Sequence, residues 1–254
     1  GRLCANITAY DNQPPYMAIV EDETADDTLA AIALMTPPYS LIIHCMPDQV
    51  ANALPCLAAD LEQSDWVVPG VNAPVELAET FAAIWTERTG SSHRIEMQLR
   101  TYELHQVHPL RYGPGRLRLA RADEVNLVVD WVHEFTMEAL GDNESFNQAH
   151  ARRHYANAIA QGVVVLWENN GPVSMASTGR HTAHGINIGL VYTPPHQRGK
   201  GYASACVATL CQQLLDSGWD FCTLFTDLAN PTSNAIYQRI GFEPVCDYVH
   251  LQFE

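Results

Sequence analysis

The residues best suited to chemistry lie in the segment Thr193-Pro194-Pro195-His196-Gln197-Arg198-Gly199-Lys200-Gly201-Tyr202-Ala203. It follows an apolar run, Ile186–Tyr192. It precedes Ala203, Cys206, Val207, Leu210, Cys211, Leu214 and Leu215, small or apolar residues at helical spacing. A strand–turn–helix passage of this kind puts consecutive backbone amides at a helix N-terminus, where the helix dipole also favours an anion. Gly199 and Gly201 permit positive φ and let a ligand approach the backbone closely. Arg198 and Lys200 add positive charge, and Lys200 is the only lysine in the chain. A phosphate-bearing ligand would fit such a loop, although an ordinary strand–helix turn with solvated basic residues has the same composition. The loop is not a Walker A motif, because no Ser or Thr follows Gly-Lys. It is not the dinucleotide fingerprint, because a third spaced glycine is missing and the strand comes late in the chain.

About 30 residues further on comes Asn230-Pro231-Thr232-Ser233-Asn234-Ala235-Ile236-Tyr237-Gln238-Arg239-Ile240-Gly241-Phe242. Pro at the first turn and Gly241 past the end predict a short helix over Pro231–Ile240, with Asn230 able to cap it. The first loop fits Arg-x-x-Gly-x-Gly/Ala. The second segment fits Asn-x-x-(Ser/Asn)-x-x-x-Tyr-x-x-x-Gly-Phe. In this order and spacing the two resemble the signature motifs of the GNAT N-acetyltransferase superfamily. The resemblance covers roughly residues 116–254 and is strongest over 186–243.

The resemblance implies a mixed α/β GNAT fold and an acetyl-CoA-dependent N-acetyltransferase. It implies that the backbone of Leu190, Val191, Tyr192 and Thr193 holds the pantetheine arm. It implies that the amides of Arg198, Gly199, Lys200, Gly201, Tyr202 and Ala203 hold the pyrophosphate. Asn230 would contact the pantetheine or shape its exit, and Tyr237 would protonate the leaving thiolate. Many members place a glutamate base on the strand before the loop, and Ile186–Tyr192 contains none. Glu134 and Glu138, on the first predicted helix of this region, and His181 or His184 beside the strand remain as candidates, as does proton loss through water. We take Glu134 as the candidate base. The chemistry is direct attack of an amine on a thioester. Positioning supplies much of the gain, a strand N–H near Val191 stabilises the oxyanion, and a tyrosine acts as acid. The expected acceptor is the primary amine of a small molecule. A non-catalytic coenzyme A sensor or docking module, and a protein N-acetyltransferase, are the alternatives.

Regular elements must position these residues. Paired Gly and Pro in His108–Gly115 predict a linker between a domain at 1–107 and a catalytic domain at 116–254. In the second part, strands are expected at Arg116–Ala120, Val163–Glu168, Pro172–Thr178, Ile186–Tyr192, Cys222–Thr226 and Glu243–Gln252. Asn169-Asn170-Gly171 signals a hairpin. Helices are expected at Asp123–Leu140 and Ser145–Gln161. In the first part, strands at Tyr16–Val20 (ending in the turn Glu21-Asp22-Glu23), Thr28–Met35, Leu41–Cys45, Trp66–Val68 and Ile95–Val107 alternate with helices over Gln49–Leu61 and Glu76–Thr89. That order echoes the later part of the GNAT fold without its Arg-x-x-Gly-x-Gly loop, so residues 1–107 read as a degenerate second copy.

Composition limits the remaining classes. A net charge of −15 argues against duplex nucleic acid as a partner. Residues 1–100 carry 14 acidic and 4 basic side chains, and residues 101–254 carry 15 and 10. No apolar run reaches the ~20 residues of a membrane span, and no signal peptide is visible, so a cytoplasmic protein is expected, as monomer or homodimer. Seven cysteines without a Cys-x-x-Cys pair read as buried free thiols of a reducing compartment. His150 and His154, and His181 and His184, are close pairs without an obvious third ligand, so no metal is expected.

Overall fold

A computed structural model describes residues 15–22, 28–64, 66–110, 113–140 and 146–254. Cys4, Glu23, Arg111, Tyr112 and Ser145, on which some of the expectations above fall, lie outside the described residues. The chain forms two compact units. One comprises residues 1–100, 227–229 and 246–254, and the other 101–226 and 230–245. The chain end therefore returns to the first unit, which a division at 108–115 does not express.

The first unit contains β1 (Tyr16–Asp22), β2 (Thr28–Met35), β3 (Leu41–Cys45), α1 (Val50–Gln63), β4 (Gly70–Pro74), α2 (Val75–Thr89) and the first part of β5 (His93–Leu104). β1, β2 and β3 pair antiparallel in turn, and β3 runs parallel to β4. Helices α1 and α2 supply Leu54, Leu57, Leu61, Phe81 and Trp85 to a core closed by inward residues of the strands, among them Ala33, Met35, Leu41 and Ile43. A strand expected at Trp66–Val68 begins instead at Gly70. The Leu251 carbonyl occupies the place a side chain at Gly70 would need, so only glycine lets the strands approach this closely.

The second unit contains β6 (Arg116–Leu119), α3 (Val125–Leu140), α4 (Gln148–Ala160), β7 (Val164–Glu168), β8 (Pro172–His181), β9 (Gly185–Tyr192), α5 (Tyr202–Asp216), β10 (Phe221–Asp227), α6 (Pro231–Ile240) and the start of β11 (Glu243–Phe253). β6, β7, β8 and β9 pair antiparallel in turn, and β9 is parallel to β10. The remainder of β11, Tyr248–Gln252, pairs antiparallel with β4 in the first unit. The end of β5, from Thr101, belongs to the second unit, where the sheet order places β5 beside β10.

Two cores cover the two faces of this second sheet. Val165, Trp167, Ile186 and Ile188 meet Cys206, Val207, Leu210 and Cys211 of α5 on one face. Val164, Leu166, Met175 and Tyr192 meet Val128, Trp131 and Val132 of α3 and Ile159 of α4 on the other. The Asn169-Asn170-Gly171 turn forms as its sequence predicts, with positive φ at Asn170 and Gly171. Residues 108–110 and 113–115 have no regular structure but are fastened. The His108 N–H donates to the Ile240 carbonyl at 2.8 Å, and the Trp167 indole donates to the Pro114 carbonyl at 3.2 Å.

Cys45, Cys206, Cys211 and Cys222 are buried, Cys246 is partly buried and Cys56 exposed, all as free thiols. Burial pushes the Cys206 thiol up to about 12. Among the described residues no three His, Cys, Asp or Glu side chains gather as a metal-ligand set, and no helix is long and apolar enough to cross a membrane.

Candidate active site

The cleft of the second unit originates in strand geometry. Parallel pairing between β9 and β10 covers only Gly185, Ile186 and Asn187 against Phe221, Cys222 and Thr223. Beyond that point the strands separate, and the end of β9 has no partner on that side in this ladder. On its other side, β9 pairs Met175 with Tyr192 and Ser177 with Gly189. Two residues of β9, Leu190 and Val191, therefore stand opposite one, Ala176. This is a β-bulge, and Leu190 holds φ +48° in it. A left-handed backbone at leucine is strained and persists only where the surroundings enforce it. The buried hydroxyls of Ser174 and Ser177 support it, donating to the carbonyls of Tyr192 at 3.1 Å and Gly189 at 3.2 Å.

The bulge also shifts side-chain alternation by one residue. Ile186 and Ile188 face the α5 core, and so does Val191, while Leu190 and Tyr192 face α3. The Tyr192 hydroxyl thereby reaches α3 and donates to Glu134 Oε2 at 2.8 Å, with Glu138 Oε1 at 3.5 Å. Burial and then the bond to Glu134 raise the Tyr192 phenol well above its ordinary value, so it keeps its proton beyond neutral pH.

The loop after β9 makes a 3-10 turn at Pro195–Gln197, then passes through Gly199 and Gly201 at φ +75° and +78° into the 15-residue helix α5. A Cβ at either glycine would meet nothing within 4 Å, so the space above this backbone is open to a ligand. The first amides of α5 have no intrahelical acceptors, and the residues that carry them, Tyr202, Ala203 and Ser204, border that space. A cleft of about 610 Å³ joins this loop to Val191, Tyr192 and Thr193 of β9, to Phe135 and Glu138 of α3, and to Asn230 and Tyr237.

Tyr237 is nearly buried, with its ring edge-on to Phe242 at 5.8 Å between centroids. Burial raises its phenol far above the ordinary range, which keeps the proton on the oxygen. Asn230 caps α6: its side-chain oxygen accepts from the Ser233 N–H at 3.0 Å. It lines the cleft as well, so capping and ligand contact are compatible.

The basic side chains depart from the expectation of phosphate partners. Arg198 donates from its single Nη2 to both Glu138 oxygens at 2.8 and 2.7 Å, donates from Nε to the Thr193 carbonyl at 2.9 Å, and lies over the Tyr192 ring. Its charge is spent on that carboxylate. Lys200 turns back to the 3-10 turn, donating to the Gln197 side chain at 2.9 Å, and does not line the cleft. Both charges are thus engaged by groups of the protein itself. His181 and His184 stand at the other end of β9, where His184 pairs with Asp220 at 2.8 Å. The eight residues from Gly185 to Tyr192 span roughly 23 Å of strand. Neither histidine reaches the cleft, whereas Glu134 adjoins it through Tyr192. Sequence reasoning missed the bulge and the Tyr192–Glu134–Glu138–Arg198 network. The available signal was Gly189, since an isolated glycine in a strand pattern suggests a bulge.

A splayed parallel strand pair, a turn with two left-handed glycines opening a helix, and a buried tyrosine thus border the same cleft. Residues 127–242 match the acetyltransferase (GNAT) family model, and this stretch is a GNAT acetyltransferase domain. No protein of curated function matches the chain. Among solved structures, the fold resembles a GNAT-family acetyltransferase from Colwellia psychrerythraea, with TM-score 0.64 at 13% identity over 95% of this chain and 85% of that one. It also resembles a GCN5-related N-acetyltransferase from Sphaerobacter thermophilus, with TM-score 0.64 at 18% identity over 90% and 78%. A GCN5-related N-acetyltransferase from Kribbella flavida follows with TM-score 0.55 at 16% identity over 98% and 92%. At these identities the likeness is one of fold.

Proposed function

We infer that the chain transfers an acetyl group from acetyl-CoA to the primary amine of a small molecule. The observation that carries this reading is the convergence on one cleft of the β9 bulge, the Gly199–Gly201 turn and Tyr237. The residues fit the donor. The turn offers amides and open space for a pyrophosphate, and the end of β9 offers backbone groups beside the cleft for a pantetheine arm. When bound, acetyl-CoA supplies an activated thioester.

The chain's own residues do the rest. The Val191 N–H, aimed by the bulge, polarises the thioester carbonyl and stabilises the oxyanion that develops there. The Tyr192 hydroxyl accepts the attacking amine's proton while passing its own to Glu134. Tyr237, a phenol protonated at neutral pH, delivers a proton to the departing thiolate. The cleft holds both reactants in line, so much of the barrier is removed as positioning.

The first unit is read as a degenerate copy of the same fold. Its order β1-β2-β3-α1-β4-α2-β5 repeats β7-β8-β9-α5-β10-α6-β11, including one parallel pair bridged by a helix. Its counterpart of the phosphate turn, Met46-Pro47-Asp48-Gln49, lacks glycine and places Asp48 near the start of α1, where a carboxylate repels phosphate. Donor binding is assigned to the second unit alone. Release of free thiol from acetyl-CoA across a panel of amines tests the reading. Amine-dependent release supports catalysis, and binding without release would favour a coenzyme A sensor.

A further inference from the structure

We propose that the outward face of β1, β2 and β3 is a self-association surface, on which a second copy of this chain packs sheet against sheet. The register places Met17, Leu34 and Ile42 in one row across the three strands, and Ile19, Ile32 and His44 in the next. All six side chains lie opposite the α1–α2 core. Met17 is 58% exposed, Ile19 67%, Ile32 43% and Ile42 48%. Alternation in an antiparallel sheet with one solvated face should put polar residues there. Here five of six positions are apolar and none is acidic, in a chain of net charge −15.

The second unit shows what such a face requires. Between β6 and β7 the chain inserts α3 and α4, and these helices cover Leu166, Met175 and Tyr192. β1 and β2 are the counterparts of β7 and β8, so an equivalent helix pair would precede β1, and the described residues of this unit begin at residue 15. Both helices of the first unit pack on the opposite face. The covering layer is therefore missing from the described residues of this unit.

Three observations favour a second copy as the occupant. A flat, regularly alternating apolar face can be self-complementary, as a two-fold interface demands. The bare side chains amount to roughly 400–500 Å², so two stacked faces would bury on the order of 1,000 Å², near the threshold for a specific interface. These two rows hold no carboxylate, and Glu21, the next exposed residue of β1, stands beyond them, so two acidic chains would meet without like-charge repulsion at the centre of the contact.

Sedimentation of the full chain from about 1 to about 100 μM brackets the micromolar association that such an area supports. The native chain should shift toward twice its 28.1 kDa mass as concentration rises. The double variant Ile19→Glu/Ile32→Glu introduces two carboxylates per face. It should weaken association by about 100-fold or more while its circular dichroism and acetyl-CoA affinity stay native. Because both positions are solvent-exposed, the fold should tolerate the charges. A chain monomeric throughout this range would overturn the proposal and leave the face to a different protein. A dimer that persists unchanged in the double variant would overturn it too, by placing the interface elsewhere. If the double variant lost its native circular dichroism, the milder Ile32→Gln would take its place, with weakened association again required.

Discussion

At the residue scale, the proposed chemistry depends on where protons sit. Tyr237 and Tyr192 are both phenols whose burial holds the proton on oxygen, yet their surroundings give them different work. Tyr192 already donates to Glu134, and the proposed mechanism makes it a relay. Tyr237 lines the cleft, and the same mechanism makes it the donor to the departing sulfur. Tyr237→Phe keeps the ring and its contact with Phe242, so the fold and acetyl-CoA affinity should stay near native. The kcat should fall by about 10²–10⁴-fold, with little change in KM, because the lost bond matters in the transition state. Steady-state rates of the variant, repeated with a thioester of a more acidic thiol, check this, and the deficit should shrink with the better leaving group. A variant with native kcat would make Tyr237 a packing residue only. Glu124 supports a different kind of claim. It is buried, accepts from the Arg118 guanidinium at 2.6 and 2.7 Å and from the Arg121 N–H at 2.8 Å, and Arg118 holds its carboxyl below the ordinary carboxylate value. A depressed folded-state value means stability present at neutral pH and lost as pH falls through that value. Glu124→Gln should cost about 1–3 kcal/mol at pH 7 and proportionately less near pH 3, measured by urea denaturation at both. An equal loss at both pH values would show that the charge contributes nothing.

At the element scale, the decisive feature is the passage from β9 to α5. The turn's two left-handed glycines were legible in the sequence, because few other residues reach φ near +75° without strain. The helix α6, with its Asn230 cap, Pro231 and Gly241, was legible for the same reason: its end signals are local. What could not be read was the interruption of pairing. Whether β9 loses β10 after Asn187, and whether Leu190 bulges, depends on tertiary partners such as Ser174 and Ser177 rather than on β9's own residues. The same holds for Arg198 and Lys200. Their charges were visible, but the carboxylate and carbonyl groups that claim them come from α3 and the preceding turn. Gly201→Asp tests the passage. Aspartate tolerates left-handed φ better than most residues and would meet nothing within 4 Å, so the cost in stability should be about 1 kcal/mol. A carboxylate among amides built for phosphate should nevertheless weaken acetyl-CoA binding by 10-fold or more, on the order of 1.4 kcal/mol or above. Calorimetric titration beside a melting curve separates the two effects. Native affinity in a folded variant would remove the phosphate role from this loop.

At the scale of the whole molecule, the order of strands and helices was recoverable from periodicity and turn residues. The return of residues 246–254 to the first unit was not, because β11 reads as one continuous strand and nothing local marks which sheet each half joins. The acceptor's identity is hidden for a related reason: it depends on the shape of a cleft drawn from α3, β9 and α6 together, not on a motif. The central claim is that this cleft catalyses acetyl transfer from acetyl-CoA to an amine. Its most direct test is the appearance of free thiol when the full chain, native or Tyr237→Phe, is mixed with acetyl-CoA and each member of a panel of small primary amines. The account predicts thiol release that depends on at least one amine, matches acetylated product mole for mole, and is cut by about 10²-fold or more in the variant. Acetyl-CoA bound by the native chain, with no amine raising thiol release above its uncatalysed rate, would contradict it.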